Sequence, residues 1–480
     1  MAARARGVGL FAPSALLAAL IFGLIAAINP TIAVGLVLGL AFAFVVFSDL
    51  ALGFAVLGFL SFLEVLNTTG GLSLTKGAGL VLAVGWLARA LTSQRERDFF
   101  TEYPALSWIL IAFLAWASLS LLWATQTGAG TTAISRYFLD ILLLPIAFTA
   151  IRTRRDLVIV FAAIAMGAFV AAAYGIVKPP SAELIEARAT GTIGDPNELA
   201  AALIVGLAFA AGLMLSRGRS LAVRVAAAGV IPVCIAVVFM SLSRGGLIAL
   251  LALLLAGPVL AGRWRPAMAG LLVLVVASGF LYFTQVASLP ARERVTNAGE
   301  GSGRTDLWTI GLRMVRAHPL DGVGVGNFPV VSANYVLQPG LIKRSELIFS
   351  TAPKVTHNTY LEILAEMGFP GLLLFLGIVC TSLLYALRAA RLWAKRGDVG
   401  MEALARSLLL GLIGLLVADF FISEMYGKLL WTMLALGPVM FALARREDTD
   451  QVLAVDDQSL VLLPDAGLDG WSTEAKPSQA

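Results

Sequence analysis

The stretch THNTYLEILAEMGFPGLLLFLGIVCTSLLYALR, residues 356–388, decides how the rest of the chain is read. It begins polar, passes an ionisable cluster and runs into apolar sequence as far as Arg388. Thr356 stands as a candidate helix cap, followed by His357, one of two histidines in the chain. Glu362 and Glu366 are four residues apart and so share one helix face. A helix over 357–388, at about 1.5 Å per residue, is roughly 48 Å long, against a hydrocarbon core of about 30 Å. The pattern therefore predicts a membrane helix that projects from one face and lifts His357 clear of the bilayer. Ionisable residues at the mouth of a span are rare enough to need a reason.

The remainder of the chain agrees with a membrane reading. Hydrophobic residues make up 59% of the 480 and charged residues 14%, against about 25% charged in a soluble domain. Apolar segments of spanning length fall near 10–28, 30–47, 50–66, 74–91, 105–123, 134–151, 157–177, 197–215, 225–242, 246–262, 267–287, 357–388, 404–422 and 428–444. The expected fold is an all-α polytopic membrane bundle of 12–14 transmembrane helices with one large, partly helical extracytoplasmic loop. The net charge of +5 comes from basic joints between spans. No basic stripe of the kind that binds nucleic acid is present. Cys234 and Cys380 lie within apolar runs and read as small core residues rather than a disulfide or metal pair. The start, MAARARGVGL, reads as an uncleaved signal-anchor.

Basic joints orient the spans. MAARAR, SQRERD (93–98), RTRRD (152–156), SRGRSLAVR (216–224), GRWRP (262–266), RAARLWAKR (388–396) and ARR (444–446) all fall on one side of a fourteen-span bundle, the cytoplasm. The opposite side then receives 288–356, a loop far longer than ordinary connections. In it, Leu307, Ile310, Gly311, Met314 and Val315 keep helical spacing, with Thr305 as a cap, and DGVGVGNF (321–328) is a turn-rich break. The chain thus divides into a bundle (1–287), an extracytoplasmic cap (288–356), three further spans (357–444) and an acidic tail (445–480) that reads as disordered.

Candidate chemistry gathers on the cap side. A histidine at a helix N-terminus faces the positive end of the helix dipole, which favours neutral imidazole. Neutral imidazole suits a general base that takes a proton from a hydroxyl. The plainer alternative is a histidine hydrogen-bonded at a membrane interface. Arg188, in ARATGTIGDPNELA, and Arg244, in SLSRGGLIAL, both precede helices on the side where arginine is disfavoured. Arginine beside helix N-terminal amides makes a phosphate or diphosphate site. Snorkelling or an ion pair with Glu198, Glu362 or Glu366 is the alternative for each. Glu362 and Glu366 read as partners of arginine or as residues that orient the site, with Asn358 beside them as a support. No metal-ligand motif is present, and no cofactor is expected. GVGVGNF lacks dinucleotide spacing. Asp448-Thr449-Asp450 lies in the acidic tail and reads as chance. Arg136 and Asp140 read as a structural pair, and Glu64 and Asp419 as facing the bundle interior.

Residues 356–375, THNTYLEILAEMGFPGLLLF, resemble the hallmark segment of the O-antigen ligase and polymerase superfamily. GTIGDPNELA (191–200), SLSRGG (241–246), GRTDLW (303–308) and HPLDGVGVGNF (318–328) resemble that family too, in its usual order, over a core of about 188–388. The resemblance implies a glycosyltransferase of the bacterial cytoplasmic membrane, multi-pass, with its active site on the extracytoplasmic face. It would move an oligosaccharide or polysaccharide from an undecaprenyl-diphosphate carrier to a glycan or lipid acceptor hydroxyl, without a metal. On that reading His357 is the base and Arg188 and Arg244 hold the donor diphosphate. Ligase and polymerase, as in lipopolysaccharide or capsule synthesis, differ only in the acceptor. A transporter or flippase accounts for the spans equally well but not for the cap ending on a histidine.

Overall fold

Inside a bilayer only a helix satisfies every backbone N–H and C=O within its own segment, so the apolar runs fold as helices. The computed structural model describes residues 23–461 apart from residue 25 and 64–73, 93–97, 179–187, 297–302, 337, 339–341 and 343–353. The first half comprises α1 (Pro30–Ser48), α2 (Leu50–Leu60), α3 (Leu74–Thr92), α4 (Asp98–Glu102), α5 (Pro104–Leu119), α6 (Thr127–Ile141), α7 (Leu143–Ala150), α8 (Arg154–Val177) and α9 (Pro196–Leu215). The second comprises α10 (Leu221–Met240), α11 (Arg244–Leu260), α12 (Arg265–Leu281), α13 (Leu289–Thr296), α14 (Arg304–Ala317), α15 (Phe328–Val336), α16 (Thr359–Lys395), α17 (Val399–Ala418) and α18 (Lys428–Val461). Among the described residues there is no strand.

Ten helical stretches among the described residues are long and apolar enough to cross a membrane, and α1, α2 and α11 are shorter apolar helices. Every apolar segment expected from residue 30 onward has its helix. The first expected span, 10–28, and Glu64 lie largely or wholly outside the described residues. α18 continues to Val461, through part of the stretch expected as a disordered tail; 462–480 lie outside the described residues.

α9 and α17 occupy the centre of the bundle. Both are apolar on nearly every face, which is the pattern of a helix surrounded by other helices. α12 lies at the periphery, where Val273, Leu274 and Phe280 are exposed. Ion pairs gather three of the basic joints at one end: Arg154 with Asp398 (2.6 Å) and with Glu447, Arg263 with Glu402 (2.8 Å), and Arg446 with Glu102 (3.5 Å). The cap lies at the opposite end.

α16 departs from the single straight helix expected. Gly368 breaks it, with φ 64° and ψ −172°, two residues before Pro370. Only glycine takes this conformation without strain. A β-carbon here would also lie 2.3 Å from the Leu320 carbonyl oxygen. The cap is built around the break. Val323 and Gly324 N–H donate to the Ala365 and Glu366 carbonyls, and Phe369 N–H donates to the Pro319 carbonyl, each at 2.9 Å. From the bundle side, the Trp116 indole N–H donates to the Met367 carbonyl at 2.8 Å. The backbone groups released by the kink are thus satisfied. Leu307, Ile310 and Met314 of α14 join Phe328 and Ala365 in a small core that fixes the cap to the first turns of α16. α14 starts one residue before the expected cap Thr305, from Gly303 in the left-handed region (φ 76°).

Candidate active site

His357 stands just before the helix rather than in its first turn. Asn358 is the N-cap of α16, its side chain accepting from Leu361 N–H at 3.0 Å. His357 itself has φ 51°, a left-handed conformation that is uncommon outside glycine. Such strain persists only where the surroundings fix it. Here the flanking residues are held on several sides. The buried Glu362 carboxylate accepts from Thr356 N–H (3.1 Å), lies 2.9 Å from the Thr356 hydroxyl and takes a hydrogen bond from the Ser423 hydroxyl. The Trp308 indole N–H donates to the Thr356 carbonyl at 3.1 Å. Thr359 N–H donates to the carbonyls of Asp419 and Ile422, both at 2.9 Å. A histidine in an improbable backbone conformation is therefore clamped by α14, α16 and the turn after α17.

The arginines arrive on different elements. Arg188 donates from Nε to the Ser241 carbonyl (2.8 Å) and from a terminal nitrogen to Asn197 Oδ1 (3.0 Å). The same Asn197 oxygen accepts from the Ser243 hydroxyl at 2.9 Å, and Ser243 caps α11 through Gly246 N–H at 3.1 Å. Ala189 N–H adds a bond to the Met240 carbonyl at 3.1 Å. These bonds stitch the segment before α9 to the turn between α10 and α11, where Arg244 is the first residue of its helix. Arg304 opens α14 in the same way. All three arginines and His357 are half-buried.

The electrostatics tie these residues into one cluster. Burial lowers the proton affinity of Arg304, and Arg188, Arg244 and Arg294 lower it further while Asp195 opposes them. Arg188 is lowered by burial and by Arg244, again against Asp195. His357 is held below the ordinary imidazole value, first by burial and next by Arg304, with Asp195 pulling the other way. The neutral imidazole expected from the helix dipole is thus favoured mainly by burial and by a neighbouring cation. Like charges brought together in a half-buried site repel one another. A multiply charged anion relieves that repulsion.

Glu362 and Glu366 differ from the arginine partners considered for them. Glu366 accepts from Gly326 N–H (2.8 Å) and Phe328 N–H (3.0 Å), so it anchors the GVGVGN turn of the cap. Glu362 holds Thr356, the residue before His357. Arg136 and Asp140 do not form the expected pair. Asp140 is ion-paired with Lys428, and the Arg136 guanidinium lies over the Tyr426 ring, 5.5 Å from its centroid. Asp419 is buried as expected. His318 sits apart, paired with Asp321 at 3.2 Å. Among the described residues no group of three His, Cys, Asp or Glu side chains is placed to hold a metal ion.

Arg304, Trp308, Asp195 and Ser423 join the site without having been expected there. Arg304 carries the signal used for Arg188 and Arg244, a basic residue opening a helix on the cap side. Trp308 is one turn further along the same helix. The Ser423 contact spans 61 residues and leaves no local trace.

This polytopic helical membrane protein thus presents a strained, half-buried histidine and a group of arginines at one end of its bundle. Residues 229–376 match the family model described as O-antigen ligase. The match runs from within α10 to the middle of α16 and includes Arg244, Arg304 and His357. It is narrower than the expected 188–388 and leaves Arg188 outside. No curated protein matches the chain.

Proposed function

We propose that the protein transfers a glycan from an undecaprenyl-diphosphate carrier to an acceptor hydroxyl on the extracytoplasmic face of the bacterial cytoplasmic membrane, without a metal. The observation that carries this reading is a half-buried, left-handed His357 whose proton affinity is lowered by burial and by Arg304, itself in the field of Arg188 and Arg244. The acceptor oxygen attacks the anomeric carbon as His357 takes its proton. The bond from that carbon to the diphosphate oxygen breaks, and the electron pair leaves with the diphosphate. Attack opposite the leaving group inverts the anomeric configuration. Arg188, Arg244 and Arg304 meet the charge that develops on the departing diphosphate, a role that preorganised donors perform without reorganisation. Glu362, Thr356, Trp308 and Asn358 position the base, and Glu366 fixes the cap that carries Arg304.

The test is His357→Ala in cells that depend on this protein. Long surface glycan should disappear while the variant still inserts and accumulates normally. Unchanged glycan in that variant would refute the assignment of the base.

A further inference from the structure

Among the described residues two that are not glycine have positive φ, and both stand at the candidate site: His357 and Leu242, the latter at φ 49°. Leu242 follows the end of α10, its N–H donating to the Phe239 carbonyl at 3.1 Å just after Ser241 ends the helix. Glycine is the usual residue in a left-handed turn after a helix, because a side chain there is strained. A large apolar residue in that place needs a reason, and such strain persists only where the surroundings fix it.

The reason lies in what the side chain touches. Leu242 is buried, apart from the main core, with Ala287 and Ala291, and Tyr282, Phe283 and Val295 pack against them. The Tyr282 ring also stacks on Phe239 of α10, with centroids 5.9 Å apart, so the segment leaving α12 folds back onto this turn. Arg292 closes that segment, its Nε donating to the Ala287 carbonyl at 2.9 Å. α13 therefore rests on the Leu242 side chain.

The neighbours of Leu242 in the chain hold Arg188. Ser241, before it, offers the carbonyl that accepts from Arg188 Nε, and Ser243, after it, donates to the Asn197 oxygen that accepts from the other end of the guanidinium. The backbone angle of Leu242 fixes the direction of that carbonyl relative to that hydroxyl. Ala189 N–H, bonded to the Met240 carbonyl at 3.1 Å, ties the same segment to the end of α10. Arg244 opens α11 two residues after Leu242, and α13 carries Arg294, which stands in the field of Arg304.

We propose that Leu242 is a positioning residue for Arg188: its side chain, buried against α13, holds the turn left-handed, so that the Ser241 carbonyl and the Ser243–Asn197 pair keep the guanidinium in place within the arginine cluster. This rests on the transferase reading given above, in which Arg188 meets the charge on the departing diphosphate.

The experiment uses Leu242→Gly in the full-length protein in phosphatidylcholine nanodiscs. Glycine takes the turn without strain, so the variant removes the buried side chain and spares the backbone. In transfer from carrier-linked glycan, kcat and kcat/KM should fall together by about tenfold to a hundredfold, with KM little changed, the scale and pattern of a group misplaced in the transition state. Leu242→Met keeps an apolar side chain of similar volume and should stay within about threefold of wild type. Leu242→Gly/Arg188→Ala should be no slower than Arg188→Ala alone. A loss of folded protein would multiply with the Arg188→Ala loss, so multiplied losses would overturn the proposal, as would a wild-type kcat in Leu242→Gly. Leu242→Asn, which also tolerates a left-handed turn, takes the place of the glycine variant if that does not accumulate. Amide exchange at Ala189 reads the turn without turnover: it should quicken about tenfold or more in Leu242→Gly, as local opening becomes easier, and match wild type in Leu242→Met. Unchanged exchange in Leu242→Gly would overturn the proposal. Absence of transfer by the wild type would instead overturn the transferase reading, while the exchange comparison still judges the turn.

Discussion

Arg304→Ala is the substitution that reads the candidate site from two directions at once. Arg304 opens α14, is half-buried and sits in the field of Arg188, Arg244 and Arg294. Removing a preorganised donor to developing negative charge costs about 2–4 kcal/mol of transition-state stabilisation, or roughly 30- to 900-fold in rate. The second effect falls on the base. Arg304 is the second cause, after burial, that holds His357 below the usual imidazole value. Its loss raises that value. The base works unprotonated, so a higher value means that protonation sets in at higher pH. The acid limb of kcat/KM against pH should therefore move upward in Arg304→Ala. Arg304→Lys keeps the charge and loses the planar fork, so its rate should fall while the limb stays near that of wild type. The assay is transfer from carrier-linked glycan by purified protein across the pH range. A rate for Arg304→Ala within about threefold of wild type, or an acid limb displaced to lower pH, would refute the reasoning; a loss that small lies well below the scale of a lost oxyanion donor.

Three further outcomes follow from the same geometry. Arg244→Lys should impair transfer nearly as much as Arg244→Ala, because a point charge does not reproduce bidentate contact; full activity of the lysine variant in the same assay would count against diphosphate clamping. Gly368→Ala should destabilise the protein by at least about 2 kcal/mol, since it adds left-handed strain to a β-carbon 2.3 Å from the Leu320 carbonyl oxygen. A thermal midpoint in detergent equal to that of wild type would contradict that account of the break in α16. Transfer should persist in excess chelator, and loss of activity restored by added divalent cation would overturn metal independence.

The sequence and the structure agree where local pattern carries the information. Apolar runs of spanning length located the helices because burial in lipid demands them residue by residue. Leu307, Ile310 and Met314 were legible as a buried face because helical spacing brings them together. The MGFPG break (367–371) was present in the letters, yet apolar continuity pointed to one long helix. What decides the break is the cap, whose Pro319 and Leu320 carbonyls leave no room for a β-carbon at Gly368. The partners of Glu366 were not legible, because they are the backbone amides of Gly326 and Phe328 and have no side-chain signature. The four-residue spacing of Arg136 and Asp140 suggested a pair, but Lys428, 288 residues away, takes the aspartate. Local spacing says which pairs can meet, and packing of distant helices says which do. The histidine followed the same division: its place at a helix start was readable, whereas its left-handed backbone and its clamp from Trp308, Glu362 and Ser423 belong to the tertiary structure.

The central claim is that His357 takes the proton from the acceptor hydroxyl in a direct displacement at the anomeric carbon. Purified protein, carrier-linked donor and acceptor glycan test it most directly, with product formation and anomeric configuration read together. Wild type should give product of inverted configuration, and His357→Ala should still bind donor but give none. Transfer by His357→Ala at the wild-type rate, or retained configuration in the wild-type product, would contradict the claim.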